Sequence, residues 1–494
     1  MPNRSRTCPD TRTSAPPDPS HGVAKPRVPL AAVAAVACVA QFMVVLDSSI
    51  VNVALPSMKT GLGLSASAQQ WVVNGYLVAF GGLLLFAARA SDLFGRRRTF
   101  HIGLVVFSLA SLAGGLAQDG WMLLAARVVQ GAGAAALAPS SLSLITASHT
   151  EPDRRTRAMT WWGVAASSAG AAGIVVGGLL AQLSWRWVML VNVPIGAGLL
   201  IAGLMFLAPT ATGRRRSHID LPGAITVTLS AGALVHGVSA APDAGWGTPR
   251  VIVSLAAGLL LLAAFVAIER RSSDPLVPPG ILSLANVRMG NILTLCMGAV
   301  LTAPLFFLSL YLQQVLGQSA VRTGLSLLPM VAVISIGVLL SQKLIPRVGA
   351  RRLVGIGGAI AAAGLAWLGR IPVHSDYVAH VLLPTVVVAA GTSLTMMPAI
   401  VASTSGIAPR NAGVASGLLN MCRQLGAALG LAVLVTIATT VTSHSTGSGN
   451  TAVVDGYRIA FYALAALSLV TAVLAQRLKP AQDTTAAANP SDTG

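Results

Sequence analysis

The sequence predicts an all-α integral membrane protein with fourteen membrane-spanning helices in a duplicated arrangement. Three observations lead to this prediction: a low content of charge, fourteen long apolar runs, and a charged turn that occurs twice. Only 10% of the 494 residues are charged and 54% are hydrophobic, with a mean hydropathy of +0.73. A soluble domain carries about 25% charged residues. This composition excludes a soluble globular protein.

The apolar runs are long enough to cross a bilayer, which takes about 20 mostly apolar residues. Because they are continuous rather than alternating over roughly 10 residues, they indicate helices and not barrel strands. The predicted spans lie near 30–51, 70–90, 99–117, 121–143, 158–181, 187–208, 220–240, 251–268, 289–312, 323–342, 353–370, 378–402, 412–438 and 456–476. The predicted domains are a disordered cytoplasmic tail at 1–28, a six-helix bundle at 29–210, two inserted helices at 211–275, a second six-helix bundle at 276–478 and a disordered cytoplasmic tail at 479–494.

The duplication is visible in a charged turn. Ser91–Arg98 follows the second predicted span, and a looser copy, Ile345–Arg352, follows the tenth. An offset of eight spans corresponds to two six-helix halves separated by two additional helices. Parallel repeats of six helices are the layout of one large class of transporters, whose substrate site lies near the midplane between the halves.

The distribution of positive charge predicts the orientation. The net charge of +18 would suggest a nucleic-acid partner in a soluble protein. Here most of the 33 lysines and arginines lie in loops that share one side of the membrane if the N-terminus is cytoplasmic. Cytoplasmic loops carry such an excess. We therefore predict that both termini are cytoplasmic, that the bilayer is the protein's environment, and that no nucleic acid is bound.

Two ionisable residues inside the spans are the main functional candidates, because each costs roughly 2.5–3.5 kcal/mol to insert. Asp47 in span one has no neutralising neighbour in sequence, which suggests proton coupling or cation binding. The alternative is a structural hydrogen bond near the outer end of its helix. Arg127 in span four keeps its proton and must face a cavity or a partner, such as a carboxylate that it holds in the ionised form. The alternative for Arg127 is a buried structural pair.

Other polar positions are weaker candidates for a substrate cavity. Gln130 lies one turn after Arg127 on the same helix face. Arg423 lies inside span thirteen, where snorkelling to the inner interface is an equally good explanation. Position along the helices suggests seven cavity residues: Asn74, Tyr76, Gln130, Asn291, Phe306, Met397 and Arg423.

Several kinds of chemistry have no motif in this chain. The sequence contains no phosphate-binding G-x-x-x-x-G-K-[ST] loop, no H-E-x-x-H or G-x-S-x-G motif, and no metal-ligand spacing of Cys or His. We therefore predict no enzymatic activity, no cofactor and no metal. Of the four cysteines, Cys38, Cys296 and Cys422 lie in apolar runs and Cys8 lies in the N-terminal tail; we predict no disulfide framework and interpret them as small core residues. Any uphill transport would draw its energy from an ion gradient.

Specific motifs resemble one family. The sequence is similar to the major facilitator superfamily, and within it to the fourteen-span drug:proton antiporters, over nearly its whole length. The motifs that carry the resemblance are Asp92–Arg98 after span two, Arg127 with Gln130, Gly131, Gly133 and Pro139 in span four, Leu46-Asp47 through Ala54-Leu55-Pro56 in span one, Ser184–Trp187 with Val191–Pro194, and Ala412–Gly417 with Arg423–Gly426.

The resemblance implies a monomeric exporter of amphipathic small molecules, drugs or antibiotics, in the bacterial cytoplasmic (inner) membrane, driven by proton antiport. Asp47 and Arg127 would couple protons to transport. Asp92, Gly95, Arg96 and Arg98 would form a latch on the inner side. An importer or a lipid or metabolite carrier on the same fold is the alternative, followed by a sensor or scaffold without transport.

Two positions depart from the family pattern. The span-five antiporter signature has a proline where this chain has Ile174, and the signature after span two opens with glycine where this chain has Ala88. The sequence does not identify the substrate.

Overall fold

The computed structural model describes residues 30–148, 151–207, 220–272, 275–407, 411–447 and 449–478. The helices in these ranges are α1 (Leu30–Leu62), α2 (Ala66–Phe94), α3 (Arg96–Gly115), α4 (Gly120–Ser148), α5 (Pro152–Leu183), α6 (Trp185–Leu190), α7 (Asn192–Phe206), α8 (Leu221–Ala244), α9 (Pro249–Arg271), α10 (Pro279–Ser283), α11 (Ala285–Leu310), α12 (Ala320–Val348), α13 (Ala350–Leu368), α14 (Leu383–Thr404), α15 (Ala412–His444) and α16 (Asn450–Leu474). Short π-helical segments, Tyr311–Val315 and Val378–Leu382, extend α11 and precede α14. A 3₁₀ turn, Ala475–Arg477, follows α16.

The prediction of fourteen spans is confirmed. Within the described residues, fourteen helices are long and apolar enough to cross a membrane, with α6 and α7 together forming one of them. The predicted tails at 1–28 and 479–494, and the predicted boundary between 210 and 211, lie outside the described residues. Some predicted spans are shorter than the helices of the structure: α1 continues past the predicted end at residue 51 to Leu62.

The two halves repeat the same pattern of helix packing. In the first half α1 packs on α5, α2 and α3 pack on α4, and α3 packs on α7. In the second half α11 packs on α15, α12 and α13 pack on α14, and α13 packs on α16. This correspondence gives two six-helix bundles related by the offset that the charged turns predicted.

The charged turns share a backbone conformation. Gly95 between α2 and α3 has φ 93° and ψ 136°, and Gly349 between α12 and α13 has φ 85° and ψ 147°. A positive φ of this kind is accessible to glycine at little cost, because other residues carry a Cβ that clashes. The glycine is therefore the part of the turn that both copies need.

The inserted helices form a hairpin beside the first half. α8 packs on α9, on α2 and on α15. Gly82 of α2 provides the close approach to α8, since a Cβ there would lie 2.8 Å from the Cα of Thr228. At the inner end of α2, Arg89 Nη2 donates to the carbonyl oxygen of Pro275 at 2.8 Å, which ties this half to the connector that follows α9.

We call the side that the charge distribution assigns to the cytoplasm the inner side, and the opposite one the outer side. The halves are closed on each other at the outer ends of α5 and α12. A Cβ at Gly178 would lie 2.7 Å from the Ala320 carbonyl oxygen, and one at Gly324 would lie 2.6 Å from the Ile174 carbonyl oxygen. Further in along α5, Gly163 has open space around it. Ser167, near Gly163, is exposed.

Candidate functional site

The structure brings together the two charged residues that the sequence places inside the spans. Arg127 Nη1 on α4 lies 2.7 Å from Asp47 Oδ2 on α1. Asp47 is 0% exposed and Arg127 is 1% exposed. Either charge alone would be strongly destabilising at this depth, and each neutralises the other. Asp47 lies near the middle of α1 rather than near its outer end, because the helix continues to Leu62.

The second carboxylate oxygen is held by two amides. Asp47 Oδ1 accepts hydrogen bonds from Gln130 Nε2 at 2.8 Å and from Asn192 Nδ2 at 2.9 Å. The same two amide groups donate to Ser111 Oγ at 3.1 and 3.0 Å. Ser111 in turn donates to the carbonyl oxygen of Met189 at 2.8 Å. The network thus joins α1, α3, α4, α6 and α7.

Arg127 is fixed on its other sides by α2 and by its own helix. Its Nε donates to the Val72 carbonyl oxygen at 3.0 Å, and Nη1 also donates to Gln130 Oε1 at 2.7 Å. The guanidinium carbon lies 4.3 Å from the centre of the Tyr76 ring, a cation–π distance. Arg127 therefore packs as well as pairs, and a lysine could not reproduce these contacts.

Helix spacing and close helix packing bring these side chains together. Arg127 and Gln130 are three residues apart on α4 and share a helix face. The close approach of α2 to α4 depends on Gly131, where a Cβ would lie 2.5 Å from the Tyr76 carbonyl oxygen. Asn192 is the first residue of α7, which follows α6 through Val191, a residue with helical backbone angles.

The arrangement fits the ionised carboxylate. All three polar partners of Asp47 donate to it, and one of them is a cation. Charge-assisted hydrogen bonds of this type are shorter and stronger than neutral ones. Because the site is closed to solvent in this conformation, a proton can reach Asp47 only when the surrounding helices move.

Three predicted cavity residues lie elsewhere. Asn74 on α2 is 0% exposed, and neither amide atom has a partner among the described residues. Asn291 is buried on α11, where its Nδ2 donates to the Val287 carbonyl oxygen at 2.8 Å. Arg423 on α15 donates from Nη2 to Asn420 Oδ1 at 2.9 Å. These three residues are not part of the Asp47 network. Gln130, which was also predicted for the cavity, belongs to that network.

The predicted latch residues are placed only in part. Gly95 is the positive-φ residue between α2 and α3. Arg96 is half-buried and Arg98 is exposed. The side chain of Asp92 lies outside the described residues. Their neighbour Arg97 donates from Nη2 to the Leu204 carbonyl oxygen at 3.2 Å and so links the turn to the end of α7.

Sequence reasoning missed two members of the network. Ser111 is one of many small polar residues in apolar helices, and nothing in the sequence distinguishes it. Asn192 lies in the Val191–Pro194 motif, which was noted as typical of the resembled family but was given no role. A polar side chain two residues before a proline inside a predicted span is the available signal.

Comparison with known proteins identifies the family. The family model described as Major Facilitator Superfamily matches residues 37–431. The chain is 44% identical to the cephamycin export protein CmcT of Amycolatopsis lactamdurans over 442 residues, which covers 89% of this chain and 90% of that protein. It is 41% identical to the puromycin resistance protein pur8 of Streptomyces alboniger over 451 residues, which covers 88% of each chain.

Solved structures share the fold at low sequence identity. A bacterial homologue of the human lysosomal transporter Spinster, in an inward-facing and unoccupied conformation, aligns with a TM-score of 0.63 at 18% identity and covers 90% of this chain and 96% of that one. A D-xylose-proton symporter aligns with a TM-score of 0.65 at 15% identity and covers 92% and 98%. The chain belongs to the major facilitator superfamily, among relatives that export antibiotics or confer resistance to them.

Proposed function

We propose that this protein exports an amphipathic antibiotic across the bacterial cytoplasmic membrane in exchange for protons, and that Asp47 is the proton-carrying group. The observation that carries the proposal is the buried Asp47–Arg127 pair with its amide partners. An ionisable pair enclosed in a span is a proton-relay candidate by default. The antibiotic substrate class is supported by the names of the two relatives.

The closed outer side and the ionised pair fit one stage of such a cycle. An antiporter that faces inward has released its proton to the cytoplasm and is ready for substrate. In this structure the outer ends of α5 and α12 are in contact and Asp47 accepts three hydrogen bonds. The opposite stage would have the halves parted at the outer side, with water reaching Asp47.

The energies of the two events are comparable. Removing one partner of a buried ion pair costs about 3–5 kcal/mol. One proton that moves down 100 mV releases about 2.3 kcal/mol, to which a pH gradient adds. Protonation of Asp47 would leave Arg127 without its counter-charge, so it is expected to be linked to a rearrangement that supplies water or another partner. Asn192 and Gln130 would remain as neutral partners of the protonated carboxyl.

Export rather than import is the proposed direction. The fold alone does not set it, since a symporter shares the fold. The direction can be measured in everted vesicles with an acidified lumen, where substrate added outside an antiporter releases protons from the lumen. Substrate that enters without proton release, or that releases protons only in the reverse orientation, would favour the importer.

The role of Asp47 is tested with Asp47→Asn in proteoliposomes. Puromycin and a cephamycin are suitable first substrates because the two relatives carry those names. We expect the variant to lose substrate-dependent proton movement, because an amide side chain does not bind and release a proton at physiological pH as a carboxyl group can. The control is Asp455→Asn, which removes a carboxylate that pairs with Arg458 at 3.0 Å and is one-third exposed. Coupled transport that is unaltered in Asp47→Asn would refute the assignment.

A further inference from the structure

Several helices of this protein contain a proline, and two of these prolines lie near the outer ends of α1 and α8. Pro56 is in α1 and Pro242 is in α8. Proline has no backbone N–H, so it cannot donate to the carbonyl four residues earlier. These carbonyls belong to Asn52 and Val238. Each therefore lacks the helical donor that an ordinary residue would supply.

Both carbonyl oxygens accept a hydrogen bond from a hydroxyl group of the second half. Ser309 Oγ on α11 donates to the Asn52 carbonyl oxygen at 2.9 Å. Thr436 Oγ1 on α15 donates to the Val238 carbonyl oxygen at 2.8 Å. Ser309 is 0% exposed and Thr436 is 4% exposed, so both donors are buried, while Val238 itself is half-buried. A hydroxyl and a proline-freed carbonyl thus meet at two separate places.

A glutamine reinforces the first of these contacts. Gln313 lies in the π-helical segment that extends α11, and its Nε2 donates to the Val53 carbonyl oxygen at 3.0 Å. The same group donates to Ser309 Oγ at 3.0 Å. The outer part of α1 is therefore bound to α11 through adjacent backbone carbonyls.

The first contact joins the two halves, and the second joins the second half to the inserted hairpin. The first joins α1 of one half to α11 of the other. The second joins α15 to α8. Two contacts hold α8 on α2 of the first half: Gly82 lies against Thr228, and the Trp71 ring lies 6.2 Å from the His236 ring. When the outer ends of the halves separate and α8 stays on α2, both hydroxyl–carbonyl bonds must break.

We propose that the proline-freed carbonyls of Asn52 and Val238, with Ser309 and Thr436 as their donors, form the outer gate of the transport path. Carbonyls of this kind suit a gate. They are paired when the gate is closed, and vestibule water can bond them when it opens. The net contribution of such a bond is small, equivalent to about a fivefold change in an equilibrium. A gate that opens in every cycle requires bonds of this strength.

The contrast with a third proline supports the assignment. Pro398 in α14 frees the carbonyl of Leu394, and Ser341 Oγ on α12 lies 3.5 Å from that oxygen. This contact lies within the second half, does not cross the boundary, and is at the limit of hydrogen-bond length. The two short bonds are the ones that tie the second half to the first half and to the inserted hairpin.

The proposed gate rests on the proposed export for its biological meaning, but it is tested on purified protein without substrate or gradient. A negative result for the gate is therefore distinguishable from a negative result for export. Spin labels on cysteines at Gln118 and His374, exposed in outer loops of the two halves, report the outer distance. The native cysteines are replaced. Ser309→Ala and Thr436→Ala should each raise the ratio of long to short distances between the two labels about fivefold. Each variant destabilises only the closed state, because the hydroxyl–carbonyl bond that it removes exists only there.

The matched control is Ser468→Ala. Ser468 Oγ donates to the Gly358 carbonyl oxygen at 2.9 Å between two helices of the same half, and its loss should leave the outer distance unchanged. Pro56→Ala provides a second test, because residue 56 can then donate to Asn52 within α1. On that background we expect Ser309→Ala to shift the ratio less than twofold. Distances in Ser309→Ala and Thr436→Ala that match those of Ser468→Ala, or an undiminished effect of Ser309→Ala on the Pro56→Ala background, would overturn the proposal.

Discussion

Gly324 closes the outer seam between α5 and α12, and replacing it with alanine should favour the opposite conformation. A Cβ at Gly324 would lie 2.6 Å from the carbonyl oxygen of Ile174 and 3.5 Å from its Cγ2. The first of these atoms is backbone and cannot turn away. Gly324→Ala therefore requires α5 and α12 to separate at their outer ends, where the inward-facing conformation needs them in contact.

The size of the effect follows from the overlap. Introducing one carbon atom into a closely packed interface costs typically 1–3 kcal/mol. The cost applies only while the outer seam is closed, because the open seam leaves room for the methyl group. A difference of about 1–3 kcal/mol changes the ratio of the two conformations about 5- to 150-fold. Alanine also raises helix propensity, so the fold itself should not suffer.

The spin-label pair at Gln118 and His374 measures this ratio directly. Gly163→Ala is the matched control on α5, because a Cβ at Gly163 has no atom within 4 Å. We expect Gly324→Ala to shift the population towards long outer distances and to slow export in vesicles, and Gly163→Ala to do neither. If the two variants gave the same distance distribution, the contact between Gly324 and Ile174 would not control the seam.

Two further predictions concern the candidate site and the charged turn. Arg127→Lys keeps the charge but loses the donor to the Val72 carbonyl, so we expect a loss of about 1–3 kcal/mol in stability and at least a tenfold loss of export. Thermal unfolding in detergent and transport in everted vesicles check this, and unchanged values would mean that charge alone matters. Asp92→Asn should reduce export more than Pro346→Ala at the equivalent turn, and equal effects would indicate that the turn only sets topology.

The helical architecture could be predicted from sequence because the bilayer limits the choices. Apolar length defines a span and basic loops define its direction. The course of α1 past residue 51 was missed because Asn52, Pro56 and Lys59 follow one another there, which is the composition of a helix end. The helix continues because neighbouring helices satisfy the backbone that Pro56 leaves unpaired, as the hydrogen bond from Ser309 shows.

The residues of the candidate site that could be predicted from sequence are the two charged residues inside the spans and Gln130, which lies one turn from one of them. Asp47 and Arg127 are conspicuous in sequence because an ionisable residue inside a span is rare and needs a partner. Their mutual distance depends on the packing of α1 against α4, which no local pattern encodes. Ser111 and Asn192 are neutral and cheap to bury, so only the tertiary structure identifies them as part of the network.

Ile174 gains a physical meaning from its surroundings. The family signature has proline at this position, which would lack the N–H and leave the carbonyl of Gly170 without its helical donor. Isoleucine keeps that bond, is 2% exposed, and presents its carbonyl to Gly324 across the seam. In this chain α5 thus keeps its helical hydrogen bond at the seam, whereas the contacts of α1 with α11 and of α8 with α15 use carbonyls freed by proline.

One segment of α1 connects the Asp47–Arg127 pair to the outer side. Asp47 carries the ion pair, and Asn52 accepts the bond from α11 little more than one turn later. Between them α1 lies against α5, where a Cβ at Gly173 would be 2.9 Å from the Leu46 carbonyl oxygen and one at Gly177 would be 2.9 Å from that of Ile50. Asp47 and the Asn52 carbonyl thus lie on one stretch of α1 that packs closely against α5. We therefore expect any shift of α1 that accompanies a change of charge at Asp47 to be felt at the Asn52 carbonyl, which is the shortest path by which protonation can bias the outer gate.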